Sequence, residues 1–136
     1  MSTVTFIGAG SFGTALSTIV AAKGCRVNIF DIDEAHLKRM EDAMENVDYL
    51  PGVKLEGDYH FYTNNEEALK DADVVVFSLP AQHFRSAIKK NVDKWISKIR
   101  EINEDCEIIL LANKIDESDK REVFKIEAKK RLIIII

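Results

Sequence analysis

The feature that most constrains this chain is the stretch Thr3 to Asp31, which reads strand, glycine turn, helix, strand. Val4 to Ile7 is a short β-prone run ending in Gly8-Ala9-Gly10-Ser11-Phe12-Gly13. Helical spacing follows from Thr14 to Ala22, Gly24 stops it, and the apolar run Arg26 to Phe30 ends on Asp31. A GxGxxG pattern in that context is a dinucleotide-binding fingerprint. Gly8 permits the sharp exit from the strand. Gly10 lets backbone approach a pyrophosphate, and Gly13 lets the helix pack closely on the strand. The free N–H groups at the helix start favour an anion. Asp31 is suited to accept from an adenosine ribose and to repel a 2′-phosphate, which favours NAD over NADP.

Length and charge narrow the class. The 136 residues fit a single domain, with 46% hydrophobic and 31% charged residues. A net charge of -4 argues against a general nucleic-acid or anionic-membrane binder. The two cysteines, Cys25 and Cys106, show no metal spacing and fit a reducing compartment. His36, His60 and His83 are scattered, so no metal site is expected. No apolar leader and no apolar run of membrane length stand out, and a cytoplasmic protein is the expectation.

Along the chain, Asp33 caps a helix expected to reach Asn46, with Leu37, Met40 and Met44 on one face. Tyr49-Leu50-Pro51-Gly52 marks a loop. His60 to Thr63 reads as a strand, and Asn64 or Asn65 caps a short helix through Leu69. Val74 to Leu79 is a continuous apolar run suited to a parallel strand covered on both faces, and Pro80 ends it. A long helix is expected from Gln82 to Ile102, with Phe84, Ile88, Val92, Trp95 and Ile99 as its apolar stripe. Lys89, Lys90, Lys94 and Lys98 then form its solvated face. Glu107 to Ala112 is a buried strand, Arg121 to Arg131 a helix, and Leu132 to Ile136 a last strand.

The alternation predicts an α/β fold, a three-layer doubly wound parallel sheet (Rossmann-like) of about six strands in the order 3-2-1-4-5-6. The cofactor crevice is expected between the first and fourth strands, above their C-terminal ends. The isoleucine tail is an aggregation hazard unless it pairs within the sheet.

Residues 1–88 resemble the N-terminal domain of NAD(P)-dependent glycerol-3-phosphate dehydrogenase. The runs that bear the likeness are Ile7 to Leu16, Asn46 to Leu55 with its Tyr49-Leu50-Pro51-Gly52 loop, Ala72 to Gln82, and Arg85. The resemblance implies that Gly8, Gly10, Ser11, Phe12, Gly13, Asp31, Tyr49 and Pro80 lie at the cofactor, and that this cofactor is NAD.

The segment from about residue 89 to 131 is similar to Rab-type small GTPases. It holds Asn91-Val92-Asp93-Lys94-Trp95-Ile96, then Ile108 to Ala112 followed by Asn113-Lys114-Ile115-Asp116, and Lys120-Arg121-Glu122-Val123. The likeness implies that Asn113, Lys114 and Asp116 read guanine. In the other alignment Lys114 occupies the dehydrogenase Ser-Lys-Gly-Ile-Glu position, with Ile115 in place of glycine, and is a candidate cofactor contact through a phosphate.

Neither pattern is whole. The GTPase likeness lacks a GxxxxGK[ST] phosphate loop. The dehydrogenase likeness implies a further helical domain with the substrate site and main catalytic lysine, for which residues 1–136 hold no counterpart. The expectation is therefore an engineered chimera folded as one domain, with a 1–88 dehydrogenase-like and an 89–136 GTPase-like part. It is at most an NAD-binding module of low affinity without turnover, needing no cofactor to fold. The alternative is a truncated glycerol-3-phosphate dehydrogenase cofactor domain. No catalytic residue is assigned, since His83 reads as a helix-start surface residue and Lys114 lacks companions. The expected partners are a dinucleotide and a second copy docking on the face where a further domain would sit.

Overall fold

The computed structural model describes residues 1–80, 87–113 and 132–135, with side chains described for 1–77 and 93–111. Six strands form one sheet: β1 (Thr3–Ile7), β2 (Arg26–Phe30), β3 (Asp58–Tyr62), β4 (Val74–Pro80), β5 (Glu107–Asn113) and β6 (Leu132–Ile135). Their order is β3-β2-β1-β4-β5-β6, and every pairing is parallel. Four helices are described: α1 (Ser11–Ala22), α2 (Glu34–Ala43), α3 (Asn65–Leu69) and α4 (Ala87–Ile102).

Strand alternation splits the core into two layers. Val4 and Phe6 of β1, Val27 and Ile29 of β2 and Val76 of β4 face α1 and α2, where Ala21, Leu37 and Met40 are buried with them. Ile7, Phe30, Val75 and Phe77 face the opposite side with Ala68 and Leu69 of α3 and Ile99 of α4. Trp95 is partly buried and packs against this second layer, its ring 5.7 Å from Phe30 and 5.5 Å from Phe77. Lys94 and Lys98 of the expected solvated face are exposed, while the side chains of Ile88, Lys89, Lys90 and Val92 lie outside those described.

The described elements agree with the sequence expectations in kind and order, and differ at their ends. Helix α1 begins at Ser11, one turn before the apolar pattern starts. Helix α2 is capped by Asp33, whose side chain accepts from the His36 N–H, but it stops at Ala43 instead of reaching Asn46. Met44 ends it in a left-handed conformation with φ of 47°, and still packs against the core. Asn64 is the cap of α3. The isoleucine tail pairs in parallel with β5, with Ile109 opposite Ile133 and Leu110 opposite Ile134, so within the described residues it completes the sheet. The expected helix Arg121 to Arg131 lies outside the described residues, as do Gln82, His83, Phe84 and Lys114. No described helix is long and apolar enough to cross a membrane.

Candidate functional site

The switch point of the sheet lies at β1, which has β2 on one side and β4 on the other. In such sheets the crevice above the strand ends at this point receives the ligand. Here the glycine turn fills that position. Gly8 leaves β1 with φ of +95°, a region that residues with a side chain rarely adopt, and donates its N–H to the Phe30 carbonyl at 2.8 Å. Gly8→Ala is expected to cost about 1–3 kcal/mol in a denaturant titration, from backbone strain alone.

Gly10 stands one residue before α1 in extended backbone, and no side chain caps that helix. Its carbonyl accepts from the Thr14 N–H at 3.1 Å and from Thr14 Oγ1 at 2.6 Å. The first-turn N–H groups of Ser11, Phe12 and Gly13 therefore stand at a helix start without a capping oxygen. A Cβ placed on Gly10 would meet nothing within 4 Å, whereas one on Gly13 would lie 3.4 Å from the Gly8 carbonyl oxygen. The two glycines thus serve different ends. Gly10 keeps space open in front of the helix, and Gly13 allows close packing behind it. Open space beside uncapped helix N–H groups suits a phosphate.

Asp31 closes one side of the turn. Its Oδ2 accepts from the Ala9 N–H at 2.9 Å and its Oδ1 from the Asp33 N–H at 2.9 Å. The acid ties the turn to the end of β2 and keeps about two of its four lone-pair sites for a further donor. Phe12 is partly exposed and Tyr49 is exposed, its ring edge-on to His36 with centroids 5.0 Å apart. Tyr49 therefore stands beside the turn, behind a histidine. Pro80 ends β4, in register with Asn113 of β5 and three residues beyond the Phe77 that pairs with Ile7.

A second layer, unassigned by the motif, holds the turn from behind. Asn46 is fully buried and donates from Nδ2 to the Ala9 carbonyl at 3.1 Å and to Thr14 Oγ1 at 2.8 Å. Its Oδ1 accepts from the Tyr49 N–H at 3.1 Å. His36 Nε2 lies 2.8 Å from the same Ala9 carbonyl, and its Nδ1 lies 2.7 Å from Asp48 Oδ2. Arg39 donates to Asp48 from Nη2 at 2.7 Å and from Nε at 3.1 Å. These hydrogen bonds from Arg39, and then that from His36, hold the Asp48 carboxyl below the usual carboxylate range. The signal for Asn46 and Asp48 was present in the sequence, since both sit in the Asn46 to Leu55 run that bears the dehydrogenase likeness.

The comparisons agree with this geometry. The family model for the N-terminus of NAD-dependent glycerol-3-phosphate dehydrogenase matches residues 3–127. Glycerol-3-phosphate dehydrogenase [NAD(P)+] of Agathobacter rectalis is 42% identical over 90 residues, which are 66% of this chain and 27% of that protein. The Clostridium tetani enzyme of the same name is 35% identical over 136 residues, 98% of this chain and 37% of that protein. The chain thus spans well under half the length of these relatives. In fold it resembles the crystal structure of glycerol-3-phosphate dehydrogenase from Coxiella burnetii, with a TM-score of 0.68 and 20% identity over 85% of this chain and 34% of that one.

These matches correct the two-parent reading. The family match and the Clostridium tetani alignment both run through residue 88 and into the segment that is similar to small GTPases. Nothing supports a small GTPase segment or an engineered junction there. Strand, long helix and buried strand are common to both folds, so the pattern of residues 89–131 could not distinguish them, and Asn113-Lys114-Ile115-Asp116 is a short match at a strand end. Most of the chain, from the glycine turn past the fifth strand, is one continuous piece of a single family: the chain belongs to the NAD-dependent glycerol-3-phosphate dehydrogenases, through their N-terminal domain.

Proposed function

We propose that this chain is the dinucleotide-holding domain of an NAD-dependent glycerol-3-phosphate dehydrogenase. The observation that carries the proposal is the open, uncapped start of α1 at Gly10, with the Asp31 carboxylate beside it. The residues present fit the cofactor. The N–H groups of the first turn receive the pyrophosphate, and the free lone pairs of Asp31 accept from the adenosine ribose. Bound NAD supplies the hydride acceptor for oxidation of an alcohol such as glycerol 3-phosphate, the substrate that the relatives' names state. This chain's own residues bind and orient the cofactor. No catalytic step is assigned to them, because the sequence candidates His83 and Lys114 lie outside the described residues.

Calorimetric titration of the folded chain tests the reading. NAD is expected to bind, and NADP to bind at least roughly tenfold more weakly, because its 2′-phosphate meets the Asp31 carboxylate. Absence of heat with both, in a sample whose fold is verified by circular dichroism, would overturn it. Equal affinity for the two would remove Asp31 from its role in selection.

A further inference from the structure

What fixes the glycine turn is the buried side of the Ala9–Gly10 peptide, and the inference drawn from it rests on the dinucleotide reading above. His36 is 2% exposed, and both of its ring nitrogens face acceptors. The Ala9 carbonyl oxygen, 2.8 Å from Nε2, can only accept a hydrogen bond. Asp48 Oδ2, 2.7 Å from Nδ1, belongs to a side chain that as a carboxylate also only accepts. A neutral imidazole has one N–H and can meet one of these contacts. Two protons are needed, and Asp48 is a poor holder of the second. Its Oδ2 already receives Arg39 Nη2 at 2.7 Å and Nε at 3.1 Å, which stabilises the ionised form.

We propose that His36 is a doubly protonated imidazolium that clamps the Ala9 carbonyl, and so is a positioning residue for NAD. A trans peptide points its N–H opposite to its C=O. With the Ala9 carbonyl held by His36 and by Asn46 Nδ2 at 3.1 Å, the Gly10 N–H is directed away from them. The Ala9 N–H is held by Asp31. The turn is gripped on both sides, and its donors keep one orientation before a phosphate arrives.

Removal of the proton undoes the clamp. Whichever nitrogen becomes bare then places a lone pair within 2.8 Å of an acceptor oxygen, either at Ala9 or at Asp48. The ring must turn or the loop must move. The other charged or titratable groups around His36 are Asp48 and Tyr49 of the following loop, Arg39 of α2, Asp33 at the α2 cap, and Asp31 across the turn.

The test uses the full chain labelled with 15N, followed by NMR from about pH 5 to 9, with His36→Gln assigning the ring signals. Two slowly exchanging ring N–H signals from His36 are expected at the acid end. In parallel calorimetry, NAD affinity is expected to fall roughly tenfold on alkalinisation, with the midpoint at which those signals change. His36→Gln keeps one amide donor for the Ala9 carbonyl and is expected to bind NAD with a flat pH profile. A His36 ring with one bare nitrogen throughout the range overturns the imidazolium. An affinity that stays flat while His36 titrates, or a slope that survives His36→Gln, overturns the positioning role. Failure of NAD to bind at any pH overturns the dinucleotide reading and the positioning role together, while the nitrogen signals still decide the protonation.

Discussion

Gly10→Ser is expected to weaken NAD binding roughly a hundredfold or more while leaving the domain at least as stable as the unmodified chain. The two effects separate because Gly10 is neither strained nor crowded. Its φ of −85° is open to any residue, and an added Cβ meets nothing within 4 Å. Serine is also a better helix N-cap than glycine, by a few tenths of a kcal/mol. Its hydroxyl accepts from an N–H two or three residues on, at Phe12 or Gly13, and those are the donors a phosphate requires. The substitution therefore fills the anion space, which denies the phosphate both donors, and satisfies one of them internally. Loss of two charge-assisted hydrogen bonds of about 1.5 kcal/mol or more each corresponds to roughly a hundredfold or greater loss of affinity. Calorimetry with NAD, together with a urea melt of the same protein, reads both quantities. Retained binding with unchanged stability would place the pyrophosphate elsewhere on the domain.

The turn and the sheet were legible in the sequence for a common reason: both are specified by residue types that have few other uses. Gly8 needs a positive φ, and the apolar runs of β4 and β5 suit strands covered on both faces. Legibility failed where the controlling residue is ordinary. Helix α2 stops at Met44, a methionine in a conformation usually marked by glycine or asparagine, so a pattern of apolar spacing runs past it. The second layer of the site lies just beyond that stop. A helical pattern that runs to Asn46 gives no sign that its side chain turns back to Ala9 and Thr14, more than thirty residues away. His36 looked like a scattered histidine because its partners are a backbone carbonyl and a residue beyond the helix end. The false GTPase segment has another origin. A strand–helix–strand pattern is set by burial, which two unrelated nucleotide folds share, and a four-residue motif says little without the phosphate loop that gives it binding energy.

Asn46→Ala is expected to lower stability by about 2–4 kcal/mol and to weaken NAD binding, although Asn46 lies behind the turn. The side chain is fully buried and joins three parts of the chain: the Ala9 carbonyl, Thr14 Oγ1 in α1, and the Tyr49 N–H in the following loop. Alanine removes both donors, leaves the Tyr49 N–H without its acceptor, and opens a small cavity. Against a total stability of about 5–15 kcal/mol for a domain of ordinary kind, the variant stays folded, so its binding can be measured. Asn46→Asp separates the two functions of the amide. It retains an acceptor for the Tyr49 N–H but turns a buried negative charge toward the Ala9 carbonyl, where a donor stood. It is therefore expected to be the less stable of the two and to bind NAD more weakly. If instead Asn46→Ala loses stability and keeps its full affinity, the orientation of the turn is set by Gly8, Asp31 and His36 without help from the amide. The buried asparagine then belongs to the packing of the loop and not to the cradle.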